Sequence, residues 1–173
     1  MKVKEVDVLI IAPTYDINSN IQPWYLRWSE KLSQATLVTD KNNNFENWQN
    51  KIIAAIESST KPLVIIAYSL GITAFFLAAT KSTKPIAGAF FVSPIQDDKI
   101  NDIKLPTNKL PYPSVLIASN NAKNCSLEYA KSLASSWHSL FLDCGAAGDI
   151  NALSGYGPWP EGFMVFSKFL SKL

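Results

Sequence analysis

The chain has 173 residues, 47% of them apolar and 17% charged, with a formal net charge of +2. That is enough chain to bury one real core, and its composition is globular rather than disordered. The charge is weak and the lysines are scattered singly with no basic stripe, which argues against nucleic acid as a partner.

Residues 1–7 carry charges of both signs. The apolar run 8–12 behind them is too short for a signal-peptide core or a membrane span, so a soluble, cytoplasmic protein is expected. Residues 6–12 read as a buried strand. Residues 23–32 read as a helix, with Trp24, Trp28 and Leu32 on one face. A short strand at 35–38 and a polar loop at 40–44 follow. Residues 45–58 are helical, with Trp48, Ile52, Ala55 and Ile56 as the apolar stripe. After Pro62, residues 63–68 form a continuous apolar strand, and 70–80 an almost wholly apolar, buried helix. A strand at 86–92 ends at Ser93-Pro94. The proline-rich segment 95–113 is an irregular excursion. A strand at 114–119, a helix at 126–137, a strand at 139–142 and a helix at 162–173 complete the chain. Cys125 and Cys144 form neither a disulfide framework nor a Cys-x-x-Cys pair, and two reduced thiols are expected. Nothing in the residues calls for a metal or cofactor.

Strands apolar on both faces, alternating with helices, mean a parallel sheet covered on both sides, in a single domain over 1–173. In such sheets ligands gather at the carboxyl ends of the strands. There, strand 63–68 turns sharply through Ser69-Leu70-Gly71 into a helix. So tight a turn crowds its neighbours, and the small residues Ala67 and Gly71 relieve the crowding on either side of Ser69. The turn lifts Ser69 Oγ above the strand end. It also aims the Leu70 backbone N–H, at a helix N-terminus, toward a developing oxyanion. The plainer alternative is an ordinary strand-to-helix turn with Ser69 as an N-cap.

Over nearly its whole length the chain resembles the small serine hydrolases of the retinoblastoma-binding protein 9 and YdeN type. The resemblance is carried by Trp24, Trp28 and Trp48, by Ala67-Tyr68-Ser69-Leu70-Gly71, and by the strand running into Ser93-Pro94. Leu110-Pro111-Tyr112-Pro113-Ser114 matches too. So does the block Gly145-Ala146-Ala147-Gly148-Asp149-Ile150-Asn151, which runs on through Tyr156 and Trp159 to Gly162. The residue before the serine is usually His in that family and is Tyr68 here. The resemblance implies a trimmed α/β-hydrolase fold: a three-layer α/β/α sandwich on a parallel six-stranded sheet of order 2-1-3-4-5-6. It also implies Ser-His-Asp hydrolysis of small esters or amides, with the Asp after the fifth strand and the His after the sixth.

Two of the three catalytic side chains are missing. The family acid falls on Ala122 and the family histidine on Asp149. The sole histidine, His138, lies at the amino end of the last strand, roughly 15 Å or more from the site, where a surface or cap role is expected. Asp149 is a poor base. An unperturbed Asp has a pKa about 2.6 units below that of His, which weakens it by roughly 3.5 kcal/mol. A carboxylate at pH 7 also has no proton to return to a leaving group. Asp149 is expected instead to accept backbone hydrogen bonds or to pair with Lys123. A Ser–Lys dyad needs a buried, neutral lysine, and the polar run 120–124 does not promise one. Cys144 reads as a packed thiol.

The oxyanion end is expected to be intact. Leu70 N–H is one donor, and Thr14 or Tyr15 N–H, after the first strand, the second. Tyr15, Tyr68, Tyr156 and Trp159 fall near strand ends and are candidate pocket walls, although Tyr156 and Trp159 also suit simple packing of the closing loop. The chain is then either a catalytically impaired pseudo-hydrolase acting as a binding module, or a working hydrolase using Ser69 with a non-standard base such as Asp149. The partners to expect are a small ester or amide ligand and, for a binding module, a protein that the chain does not identify. Neither nucleic acid nor a membrane is expected.

Overall fold

The computed structural model describes residues 1–15, 18–42, 44–96, 100 and 103–173. Six strands form one parallel sheet: β1 (Asp7–Ile11), β2 (Ala35–Val38), β3 (Leu63–Tyr68), β4 (Ile86–Val92), β5 (Ser114–Ala118) and β6 (Leu140–Asp143), in the order β2-β1-β3-β4-β5-β6. The helices are α1 (Trp24–Lys31), α2 (Phe45–Ser58), α3 (Leu70–Ala79), α4 (Leu127–Trp137) and α5 (Pro160–Leu170).

Alternation along the strands sends side chains into two separate cores. Leu9, Ile11, Ile65 and Ala67 pack with α2, α3 and α4, around Trp48, Phe75, Phe91 and Trp137. Val8, Ile10, Val64, Ile66 and Tyr68 pack with α1 and α5, around Trp24, Trp28, Trp159 and Phe166. The result is a three-layer α/β/α sandwich.

Element ends differ slightly from those read in the sequence. Helix α5 starts at Pro160 rather than 162, because a proline in the first turn gives up no helical hydrogen bond. Strand β6 starts one residue late, since Ser139 N–H is drawn back to Ala134 O at 2.9 Å. Two 3₁₀ turns, Val3–Glu5 and Ala152–Ser154, were not anticipated. Of the excursion 95–113, residues 97–99, 101 and 102 lie outside the described residues, and the described remainder contains no helix or strand. No helix among the described residues is long and apolar enough to cross a membrane.

Candidate active site

Ser69 lies between β3 and α3 with φ 55° and ψ −126°. This is a left-handed backbone that a serine adopts only when its surroundings impose it, at about 1–3 kcal/mol. Those surroundings are visible. Ser69 N–H donates to Val92 O at 3.0 Å, and Ser69 O accepts from Ile72 N–H at 3.0 Å. At Gly71, a Cβ would lie 2.2 Å from Ile11 O, so the turn presses its backbone against the end of β1. Ser69 does not cap α3 with its side chain, which removes the N-cap alternative. Leu70 opens the helix, and its N–H has no intrahelical acceptor.

A cavity of about 400 Å³ opens over Ser69. Its walls include Thr14, Tyr15, Tyr25, Tyr68, Ile21 and Leu153. Four of the expected site residues therefore share one cavity: Ser69, Thr14, Tyr15 and Tyr68. Tyr156 and Trp159 are not among its walls. Trp159 is buried, stacked on Trp28 at 5.7 Å and edge-on to Trp24 at 5.1 Å. Tyr156 packs edge-on against Trp159 at 6.1 Å, and its carbonyl accepts Trp24 N–H at 3.2 Å. Both residues pack the closing loop, because the chain entering α5 turns down onto α1.

The phenols of the cavity are acids, not bases. Burial pushes the Tyr25 hydroxyl up to about 12, helped by Tyr15, and moves Tyr68 in the same direction. Both are neutral at pH 7, and both protons are already committed. Tyr25 Oη donates to Pro13 O at 3.2 Å and Tyr68 Oη to Asp149 O at 2.8 Å.

Asp149, expected from the sequence at the position of the family histidine, is held on several sides. Its Oδ1 accepts Lys123 N–H at 2.9 Å, and its own carbonyl accepts the Tyr68 hydroxyl. The next carbonyl, Ile150 O, accepts Trp24 Nε1–H at 3.0 Å. Lys123 follows Ala122, so the carboxylate reaches the loop in which the family acid is expected. A bond still joins the two loops, but it runs from a backbone N–H to a carboxylate. The Lys123 side chain takes no part: it is exposed, and the one ion pair among the described residues is Lys51–Asp40.

A second tie between these loops was not foreseen. Buried Ser119 Oγ donates to Asn121 Oδ1 or Gly145 O and accepts Ala147 N–H at 2.9 Å, while Asn121 Oδ1 accepts Gly148 N–H at 2.7 Å. The only sequence signal for it was a polar Ser119-Asn120-Asn121 run directly after an apolar strand.

Other candidates stand apart. His138 is the left-handed cap of α4 (φ 56°), at the amino edge of the sheet opposite Ser69. Cys144 Sγ donates to Ala118 O at 3.1 Å, and desolvation pushes its thiol up to about 11, so it is protonated at neutral pH and not a nucleophile.

The family model described as serine hydrolase matches residues 9–168. No curated protein matches the chain significantly. Among solved structures, a protein described as a YdeN-like hydrolase from Pectobacterium atrosepticum superposes with a TM-score of 0.86 at 24% identity, over 96% of this chain and 91% of that one. The ydeN gene product of B. subtilis gives 0.72 at 16%, over 95% and 99%. An esterase domain from Rhodothermus marinus gives 0.66 at 11%, over 94% and 85%. At these identities the structural likenesses establish the α/β-hydrolase fold.

Proposed function

The chain belongs to the serine hydrolase family, and we propose that it is a catalytically impaired member, a hydrolase scaffold that binds a small ester- or amide-like ligand over Ser69. The observation that carries this reading is the use made of Asp149. Its Oδ1 accepts Lys123 N–H, beside an alanine at the position expected for the family acid, and Asp149 is not among the walls of the cavity over Ser69.

Acyl transfer at Ser69 needs a group to take the Oγ proton as the bond to the carbonyl carbon forms, and to give a proton to the leaving group. Leu70 N–H, with Thr14 or Tyr15 N–H, is suited to polarising a bound carbonyl. The titratable side chains among the described walls are phenols, and the two buried ones, Tyr25 and Tyr68, hold their protons at neutral pH. Substrate binding and oxyanion stabilisation alone leave about 10³–10⁴-fold acceleration over water. The strained elbow and the cavity above it favour one second reading, a slow hydrolase of activated esters.

Restoring the missing groups tests the proposal. The pair Ala122→Asp with Asp149→His is expected to raise kcat/KM for p-nitrophenyl acetate by about 10²-fold or more. A folded double variant with no gain would contradict the view that the absent acid and base are what limit this site.

A further inference from the structure

The cavity over Ser69 is selective in its chemistry. None of its described walls carries a charged side chain. The Tyr25 and Tyr68 hydroxyls are spent on backbone carbonyls, so these residues offer a ligand mainly their ring surfaces. Two walls are large apolar side chains in water: Leu153 is 96% exposed and Ile21 47% exposed. The other exposed large apolar residues among those described, Leu140 and Met164, lie outside this cavity. A single exposed leucine is unremarkable, but two apolar side chains at one cavity mouth mark a surface made to be covered.

The lip is also built. Leu153 rides on the 3₁₀ turn Ala152–Ser154, which Asn151 Oδ1 caps by accepting Ser154 N–H at 2.8 Å. Ile21 N–H bonds Ser19 Oγ at 3.2 Å, and Ile21 Cγ2 sits so close to Gly157 that a Cβ there would lie 2.7 Å away. The segment before α1 and the loop after β6 are thereby in contact beside the cavity.

We propose that the Ser69 cavity takes an uncharged ester whose acyl chain runs from Ser69 out over Ile21 and Leu153, so that these two residues select chain length. This rests on the reading of the Ser69 cavity as a ligand site. A free carboxylate would meet no charged side chain, only the partial positive charge at the N-terminus of α3, which offsets part of its lost hydration. Each methylene laid on the lip leaves water, which favours longer chains.

The test is an NMR titration of the ¹⁵N-labelled Ser69→Ala protein, in which turnover does not interfere, following the Leu70 and Tyr15 amides. The probes are ethyl butanoate, hexanoate and octanoate, and the matching free carboxylates. Affinity for the esters is expected to rise about two- to fourfold per added methylene. The carboxylates should bind more weakly than the esters of the same chain length. Adding Leu153→Ser or Ile21→Ser should flatten the rise of affinity with chain length. Leu153 is almost wholly exposed, so its replacement should not move the melting temperature. Ester binding with an unchanged chain-length slope in both lip variants would overturn the lip while leaving the cavity as a ligand site. No shift of Leu70 or Tyr15 with any ester would overturn both.

Discussion

Replacing Asp149 by alanine separates a brace from a base. The bond from Lys123 N–H to Oδ1 is 2.9 Å and has a charged acceptor. Hydrogen bonds to charged groups contribute about 1.5–3 kcal/mol when buried. The bond is exposed to solvent, so water replaces much of the lost partner, and about 1 kcal/mol or less is expected for Asp149→Ala. The remaining ties, Tyr68 Oη to Asp149 O and Trp24 Nε1 to Ile150 O, use backbone carbonyls and survive the substitution. The variant should therefore fold. Asp149→Asn keeps a neutral acceptor and should lose about half as much. Urea denaturation followed by tryptophan fluorescence reads the stability change. Residual hydrolysis of p-nitrophenyl acetate at pH 7 reads the chemistry, and is expected to stay within about twofold of the parent, far from the 10²–10⁴-fold that a general base supplies. A loss of about 10²-fold or more in kcat/KM with stability unmoved would refute the brace and make Asp149 the base.

Two further predictions concern backbone strain and acid stability. At φ 55° and ψ −126°, relief of strain in Ser69→Gly outweighs the added chain entropy of glycine, so this variant should be more stable than Ser69→Ala by about 1 kcal/mol; equal denaturation midpoints would mean that the turn imposes no strain. Asp40 is buried and accepts from Asn42 N–H, Asn44 N–H, Asn47 Nδ2 and Lys51 Nζ, and the Asn44 bond leads in holding its carboxyl below the ordinary range. A pKa lower in the folded state gives stability that is full above the unfolded value, near 3.9, and lost as pH falls through the folded one. Stability should thus drop below about pH 4, and Asp40→Asn should be less stable at pH 7 and lose less on acidification; parallel pH curves for the two proteins would contradict this.

Much of the fold was legible because periodicity is a strong signal. Strands β2, β3 and β4 and helix α2 occupy the residues expected of them, and for β3, β4 and α2 the bounding Pro, Asn or Ser leaves little choice of register. The elbow was legible because Ala67 and Gly71 answer a steric demand that is now seen as the contact of Gly71 with Ile11 O. What escaped depends on where long side chains end up. Tyr156 and Trp159 suited either a pocket wall or the packing of the closing loop, and the descent of the chain onto α1, which sends the indole of Trp159 into the core, decides for packing. Asp149 was expected to accept backbone N–H groups of its own loop or to pair with Lys123. Its partner is the Lys123 backbone in the facing loop, a choice that composition does not encode. Residues 40–44 read only as a polar loop, yet Asp40 organises it from within.

The central claim is that Ser69 is a nucleophile without a base, and the rate at which it reacts with a fluorophosphonate tests this most directly. Followed by intact-protein mass spectrometry, labelling should be slower than that of a complete triad enzyme by about 10³-fold or more, and it should accelerate in the Ala122→Asp, Asp149→His protein. Fast, stoichiometric labelling of the unaltered chain, abolished by Ser69→Ala, would contradict it.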